Sequence, residues 1–221
     1  MLLKRVGLAL SPDEYAGELT SEFVFRTRYL CNYVNRALTS LRFATPNFRQ
    51  VIVRGVHSPI DECLVVPEAS VRATVRFDEA RYRAMGPDEH HEFFLVMLEE
   101  GLEKCARHHE IPIDFLRGSI RSFRDGGYRN EWVHQQKLLR PAGIRASLLC
   151  RLDSERFELT LRLERQGLVT FERVILETKP DELIFAYRFK EVVLRDDEVV
   201  VLSKFGEVLY SVPIANLAKA D

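Results

Sequence analysis

Residues 156–165, with the sequence RFELTLRLER, decide how the second half of the chain is interpreted. The apolar side chains of Phe157, Leu159, Leu161 and Leu163 alternate there with polar ones. Because successive side chains of a strand point to opposite faces, this alternation predicts a β-strand with one buried face. Similar runs recur at about ten-residue intervals to the end of the chain, joined by short turns. Short connections favour antiparallel neighbours, so we expect a β-meander.

The alternating pattern extends over the whole of residues 132–212. Eight strands are predicted, at residues 132–139, 144–152, 156–164, 168–177, 183–189, 192–195, 199–203 and 208–212. Turn residues separate them, for example Asp153-Ser154 and Gln166-Gly167. The connections in this half are too short to carry an active site, which favours a binding surface over catalysis.

The first half of the chain mixes helical and strand patterns. Strands are predicted at residues 4–10, 51–56 and 70–78, and helices at residues 21–41, 78–85, 86–109 and 113–124. Ser21 is the expected cap of the first helix, and Gly86-Pro87-Asp88 is expected to start the third, with the proline at or near its first turn. The fold class is therefore α+β, with helices mainly in the N-terminal half and an antiparallel meander in the C-terminal half. We expect one domain over residues 1–221, with two lobes, 1–127 and 128–221, as the alternative division.

The charge of the chain is balanced overall but segregated along the sequence. The net charge is −1, so the whole molecule has no strong field to attract nucleic acid or an anionic membrane. Residues 21–60 hold six arginines and one acid, whereas residues 78–110 hold nine acids and four bases. Any electrostatic recognition is therefore expected to be local.

The four cysteines, Cys31, Cys63, Cys105 and Cys150, are widely spaced and include no Cys-x-x-Cys pair. Reduced, buried thiols in a cytoplasmic protein are the simplest expectation. The first residues contain only a brief apolar run, which Gly7 interrupts and Ser11-Pro12 closes. We therefore expect neither an export signal nor a membrane partner.

An acidic stripe is predicted along the helix at residues 86–109. The buried arc of this helix is predicted to consist of six residues: Phe94, Leu95, Met97, Leu98, Leu102 and Cys105. At the angular step of an α-helix, five acids lie on the side away from this arc: Asp88, Glu92, Glu99, Glu103 and Glu110. Lys104 and Arg107 lie off this stripe, so its charge is expected to remain largely unneutralised. Like charges four residues apart are mildly destabilising, and a basic partner would relieve them. The candidate partner-binding residues are Asp88, Glu92, Glu99 and Glu103, with a solvated helix face as the plainer interpretation.

An arginine-rich segment offers a second candidate surface. The helix at residues 113–124 carries Arg117, Arg121 and Arg124 on one face, and Arg129 follows it. Arginine pairs with phosphate, and nearby aromatic rings such as Tyr128 can stack on bases. These four arginines are the candidate residues of an alternative function, RNA or DNA binding, against which a solvated face again has to be weighed.

Catalytic and metal-binding motifs are missing from the sequence. The histidines lack the i, i+4 spacing with an intervening glutamate that a helical zinc site needs, and neither phosphate-binding glycine loop occurs. A cysteine nucleophile needs a nearby histidine base, and only Cys63 with His57 suggests one. A non-enzymatic protein without metal or cofactor is expected, and an unfamiliar site built from His57, His134 and Cys63 is a third possibility.

In general character the chain resembles the cytoplasmic immunity proteins that are paired with secreted bacterial toxins. The shared features are the α+β class, a near-neutral charge, the lack of catalytic motifs and one strongly acidic segment. They cover the whole chain but include no diagnostic motif, so no residue role can be transferred. The resemblance implies an inhibitor that binds a cognate protein toxin and blocks its active cleft. From the acidic stripe we expect the helix at residues 88–110 to supply part of that contact, and the toxin to present a basic surface.

Overall fold

The structure is a computed structural model that describes residues 1–66, 69–86 and 88–217. Within these residues the chain forms five α-helices and eleven strands in three sheets, and it is an α+β protein as predicted. Helices lie mainly in the N-terminal half and the meander lies in the C-terminal half. The chain divides into two compact units, Met1–Asn130 and a second unit that begins at Glu131.

The first unit is built on a mixed four-stranded sheet. Its elements are β1 (Arg5–Leu10), α1 (Gly17–Leu41), β2 (Gln50–Val56), β3 (Leu64–Val66), β4 (Ser70–Arg76), α2 (Glu79–Ala84), α3 (Glu89–His108) and α4 (Ile113–Asp125). The strand order is β1-β2-β4-β3, with β1, β2 and β4 parallel and β3 antiparallel to β4. Parallel neighbours need a long crossover, and α1 provides it between β1 and β2.

One face of this sheet forms the core with α1 and α3. The inward residues of β2 and β4, including Val51, Val53 and Val71, are fully buried. At Gly101 of α3 an added Cβ atom would lie 2.3 Å from the side chain of Val53, so the glycine permits close helix–sheet packing. The predicted buried arc of α3 is confirmed, since all six of its members are buried: Phe94, Leu95, Met97, Leu98, Leu102 and Cys105.

The free edge of β1 is protected by a side chain of α1. Asn35 accepts a hydrogen bond from the Val6 backbone N–H at 2.7 Å and donates one to the Val6 carbonyl at 3.1 Å. The amide therefore occupies the positions that a further strand would bond. An edge closed in this way is less able to pair with another chain.

The second unit contains two antiparallel sheets. Its elements are β5 (Glu131–Leu139), β6 (Ile144–Leu152), β7 (Phe157–Arg165), β8 (Leu168–Thr178), α5 (Glu182–Phe185), β9 (Glu191–Arg195), β10 (Glu198–Leu202) and β11 (Val208–Pro213). The sheets have the orders β5-β6-β7-β8 and β11-β10-β9. In β7 the four apolar residues of the RFELTLRLER segment are completely buried, as the alternation predicts. Phe157 stacks there on Phe185 and Phe189.

Several sequence predictions differ from the structure. Residues 183–189 are not a strand, because the Asp181 carboxylate accepts a hydrogen bond from the Leu183 backbone N–H and begins α5. Leu183 is 79% exposed whereas Phe185, two residues further on, is buried, so the two-residue period of a half-buried strand is absent. Helix α1 begins at Gly17, four residues before the predicted cap Ser21. The short strand β3 has no counterpart in the prediction, and Pro87, expected near the start of α3, lies outside the described residues.

All four cysteines are buried, as expected. Burial raises the pKa of the Cys105 thiol to about 12, so this thiol stays protonated and inert at neutral pH. None of the helices in the described part of the chain combines the length and apolar character needed to cross a membrane.

Candidate partner-binding face

Helix α4 packs beside the acidic stripe of α3. Its buried side chains, Leu116, Ile120 and Phe123, recur at three- and four-residue steps and fix the orientation of the helix. Because Arg117 and Arg124 are seven residues apart, they lie on the same side of α4, two turns from each other. Packing of the apolar side directs both guanidinium groups at the carboxylates of α3.

The acidic stripe and the arginine face therefore neutralise each other. Arg124 bonds the Glu92 carboxylate through Nε at 2.6 Å and Nη2 at 3.2 Å, and it also bonds Glu99 at 3.2 Å. Arg117 bonds both oxygens of Glu103, at 2.5 and 2.6 Å. Two parallel N–H···O bonds are the strong form of an arginine–carboxylate contact.

These contacts also displace the pKa values of the groups involved. The Arg124 bond holds the pKa of Glu92 below its ordinary value, although partial burial acts in the opposite direction. Glu103 raises the pKa of Arg117 by accepting its hydrogen bonds. At neutral pH the Glu92 carboxylate and the Arg117 guanidinium are therefore both charged.

A ring and hydroxyl network extends this cluster toward α1. Tyr128 donates a hydrogen bond from its hydroxyl to Glu92 at 3.0 Å, and its ring stacks on His91 with centroids 4.7 Å apart. The other side of His91 meets Tyr29, whose hydroxyl is hydrogen-bonded to Nδ1. Burial lowers the pKa of His91, so the imidazole is neutral at pH 7. Tyr128 adopts a positive φ of 59°, which turns its ring back onto α3.

A buried asparagine ties the end of this segment to α1. Asn130 is 2% exposed and donates hydrogen bonds to the Tyr29 carbonyl at 2.7 Å and to the Asn32 side chain at 3.0 Å. Its carbonyl oxygen accepts a bond from Arg36 at 2.5 Å. The sequence offers no signal for this cluster, because its members lie about a hundred residues apart and meet only through packing.

The expectation that the stripe is largely unneutralised is thus wrong. The stripe is neutralised by α4, which lies beside α3 in space. The arginines of α4 are 14 to 32 residues further along the chain than the glutamates they bond. Of the four candidate acids Asp88, Glu92, Glu99 and Glu103, the last three are paired with arginines of α4. The Asp88 side chain forms no hydrogen bond or ion pair with a described residue. Of the predicted arginines, Arg121 and Arg129 are exposed and have no such pairing within the described residues.

An acidic groove adjoins the stripe along α3, beside α2 and the end of β4. It encloses about 810 Å³ and is lined by the apolar residues Met85, Phe93, Val96 and Met97, the acids Asp78, Asp88, Glu89, Glu92 and Glu100, and the bases Arg76 and Arg81. Val96 is 54% exposed although it is aliphatic. The groove was not predicted, and the one signal for it in the sequence is an apolar residue outside the buried arc of α3.

Some carboxylates of the acidic groove have internal partners and others do not. Asp78 accepts from the Arg81 backbone N–H at the start of α2, and Glu89 accepts from the Gly86 backbone N–H. Within the described residues, the side chains of Asp88 and Glu100 form no hydrogen bond or ion pair. These two exposed carboxylates are therefore available to an external cation.

The histidines and cysteines of the third possibility have separate surroundings. His57 contacts the Tyr15 hydroxyl through Nδ1 at 3.1 Å, whereas the Cys63 carbonyl is bonded by His109. His134 lies in the second unit, where its ring packs against Phe189. Among the described residues no group of three or more histidines, cysteines or acids is placed to hold a metal ion.

Comparisons of the chain with models of protein families, with curated proteins and with solved structures found no match.

Proposed function

We propose that this chain is an immunity protein, which binds a cognate bacterial toxin with a basic surface and blocks its active cleft. The observation that supports this proposal best is the acidic groove. Its lining combines four apolar residues with five carboxylates and only two arginines. Protein–protein contacts draw their affinity from a few buried apolar anchors, while surrounding charges speed encounter and exclude wrong partners.

The geometry of the acidic groove also suggests what the toxin would present. A lysine or arginine beside an aliphatic or aromatic side chain would complement Asp88, Glu100 and Val96, three exposed residues of the groove lining. Phe93 is already covered in part by Arg81, whose guanidinium carbon lies 5.8 Å from the ring centroid. An incoming guanidinium could occupy a similar position over an aromatic ring.

The contact residues of the proposal are therefore shifted from those that the sequence suggests. Glu92, Glu99 and Glu103 hold α4 on α3, so reversing their charge would disturb the fold along with any binding. The side chains of Asp88 and Glu100 form no hydrogen bond or ion pair with the described residues, so changing them should leave the packing of α4 on α3 intact. They are the preferred positions for a test of binding.

The test starts with affinity capture of the tagged chain from its native cells, followed by expression of the captured protein with and without the chain. We expect the captured protein to be basic, to arrest growth when expressed alone, and to be harmless when the chain is co-expressed. A captured protein that is not toxic, or whose toxicity the chain does not relieve, would contradict the proposal.

Charge-reversal variants then examine the acidic groove. D88K/E100K is expected to weaken binding of the captured toxin at least tenfold, or about 1.4 kcal/mol, while the fold is retained. The matched control is E155K/E207K, which makes the same change in net charge at two exposed acids of the second unit. Equal losses in the two double variants would show that only overall charge matters and would exclude the groove as the contact.

Nucleic-acid binding through Arg117, Arg121, Arg124 and Arg129 stays a prediction with less support. Two of its four arginines are engaged with carboxylates of α3, which lowers the positive charge that this face can offer to phosphate.

A further inference from the structure

The second face of the parallel sheet in the first unit is a separate, basic surface. While α1 and α3 pack on one face, the alternate residues of β1, β2 and β4 point the other way. Their arginines are Arg5 on β1, Arg54 on β2, and Arg72 and Arg76 on β4. We refer to these four residues as the basic sheet face.

The strand register places one arginine in each of four successive rows across the sheet. Arg5 pairs with Gln50 in the first row, Ile52 with Arg72 in the second, and Arg54 with Thr74 in the third. Val56 and Arg76 form the fourth. Because rows on one face are two residues apart, the Cα atoms of the four arginines follow one another at axial steps of about 7 Å, over about 20 Å.

No acidic residue occupies an outward position of β1, β2 or β4. Within the described part of the chain, none of the four arginines forms an ion pair with a carboxylate. Arg5 and Arg76 are exposed, and Arg54 and Arg72 are half-buried. This is the reverse of the arrangement on α4, where two arginines are held in bidentate pairs.

The partly buried charge of Arg54 is poorly compensated by its surroundings. Its Nε is buried and has no hydrogen-bond partner among the described residues. Burial lowers the pKa of Arg54, and the nearby charge of Arg72 lowers it further, whereas Asp13 has a weaker effect in the opposite direction. An anion between the two guanidinium groups would remove their repulsion, and phosphate oxygens match the fork of an arginine.

We infer that the basic sheet face binds the phosphate backbone of a nucleic acid. A regular series of cations over four rows suits a linear polyanion better than a single small anion. The outward positions of β1, β2 and β4 include no aromatic residue that could stack on a base. Binding is therefore independent of base sequence and is carried by phosphate contacts. The inference concerns a different surface from the proposed toxin contact, apart from Arg76 at the border of the acidic groove.

The experiment measures fluorescence anisotropy of labelled oligonucleotides of about 20 nucleotides, one single-stranded and one duplex, at about 50 mM and about 200 mM salt. The full chain is expected to bind, and four phosphate contacts predict about a 100-fold loss of affinity for the duplex between the two salt concentrations. R54Q/R72Q should lower affinity at low salt at least tenfold and reduce the slope of log affinity against log salt by about 2.

Two further variants make the result specific. R188Q/R195Q removes the same charge from two exposed arginines of the second unit and should leave affinity within about threefold of the original. R54K/R72K retains both charges, so the salt slope should stay unchanged while bidentate contacts are lost. This variant also decides the case if the glutamine variant fails to fold.

The inference is overturned if the chain binds neither oligonucleotide at low salt, or if R188Q/R195Q loses as much affinity as R54Q/R72Q. Displacement of the oligonucleotide by polyglutamate at lower concentration than by unlabelled oligonucleotide would also overturn it, because the face would then favour an acidic protein segment. None of these outcomes depends on the toxin experiment, so the two proposals fail or stand separately.

Discussion

Arg124 and Glu92 join α4 to α3 through two N–H···O bonds, of 2.6 and 3.2 Å. Each residue was a candidate of a different function in the sequence, the carboxylate for a basic protein and the guanidinium for nucleic acid. Their pairing means that much of each charge is used inside the first unit. A charged helix face is therefore weak support for a binding function until its neighbours in space are known.

Replacing Arg124 should destabilise the fold measurably. R124Q leaves Glu92 and Glu99 without their shared cation, and both carboxylates are less than half exposed. We expect a loss of about 1 kcal/mol in the free energy of unfolding, measured by urea denaturation. R121Q, at an exposed arginine of the same helix, should stay within about 0.5 kcal/mol of the original chain. Equal losses in both variants would mean that the cluster contributes nothing particular to stability.

Local patterns predicted what depends on neighbours along the chain. The buried arc of α3 and the buried side of β7 follow from periods of 3.6 and 2 residues, because each element lies against a single apolar core. At residues 183–189 both periods fit the apolar positions, and the Asp181 cap decided in favour of a helix. A helix of four residues is too short for its period to be distinguished in the sequence.

The candidate site depends instead on contacts between distant segments. The Glu92–Arg124 pair, the Asn130 cluster and the rows of the basic sheet face require knowledge of which elements pack together and in which register. Neither the parallel pairing of β2 with β4 nor the position of α4 beside α3 leaves a periodic trace. The spacing of Arg5, Arg54 and Arg72 along the chain gives no indication that they share one face.

The glycines of two helices should respond to alanine in opposite directions. In G101A the new methyl group would lie 2.3 Å from both γ carbons of Val53, so we expect a loss of about 1–3 kcal/mol in the free energy of unfolding. In G118A on α4 nothing lies within 4 Å of the added carbon, and the higher helix propensity of alanine should stabilise the chain by about 0.5–1 kcal/mol. Calorimetric melting of both variants measures this. A stable G101A would show that α3 does not approach β2 this closely.

Stability should fall in alkaline solution because of Tyr82. Burial, together with the charge of Glu22, raises the pKa of this tyrosine from 10.0 to about 12. Its contribution is complete below pH 10, where the unfolded side chain is still neutral, and is lost as the pH rises through about 12. We expect this to cost up to about 3 kcal/mol over that range. Y82F should flatten the profile of unfolding free energy between these pH values, and an unchanged slope in Y82F would assign the loss to other groups.

Two phenylalanines of the second unit provide a matched test of its core. Phe157 is completely buried in β7, and its ring stacks on that of Phe185 with centroids 3.7 Å apart. F157A removes the centre of this stack and should reduce the free energy of unfolding by about 3–5 kcal/mol. Phe205 is 75% exposed in the turn between β10 and β11, so F205A should change it by less than about 0.5 kcal/mol. Urea denaturation followed by circular dichroism compares the two variants. If F205A destabilised the chain as much as F157A, the exposed ring would have a packing role that its surroundings in this fold do not explain. If F157A left the free energy of unfolding unchanged, the RFELTLRLER segment would not form the centre of its unit.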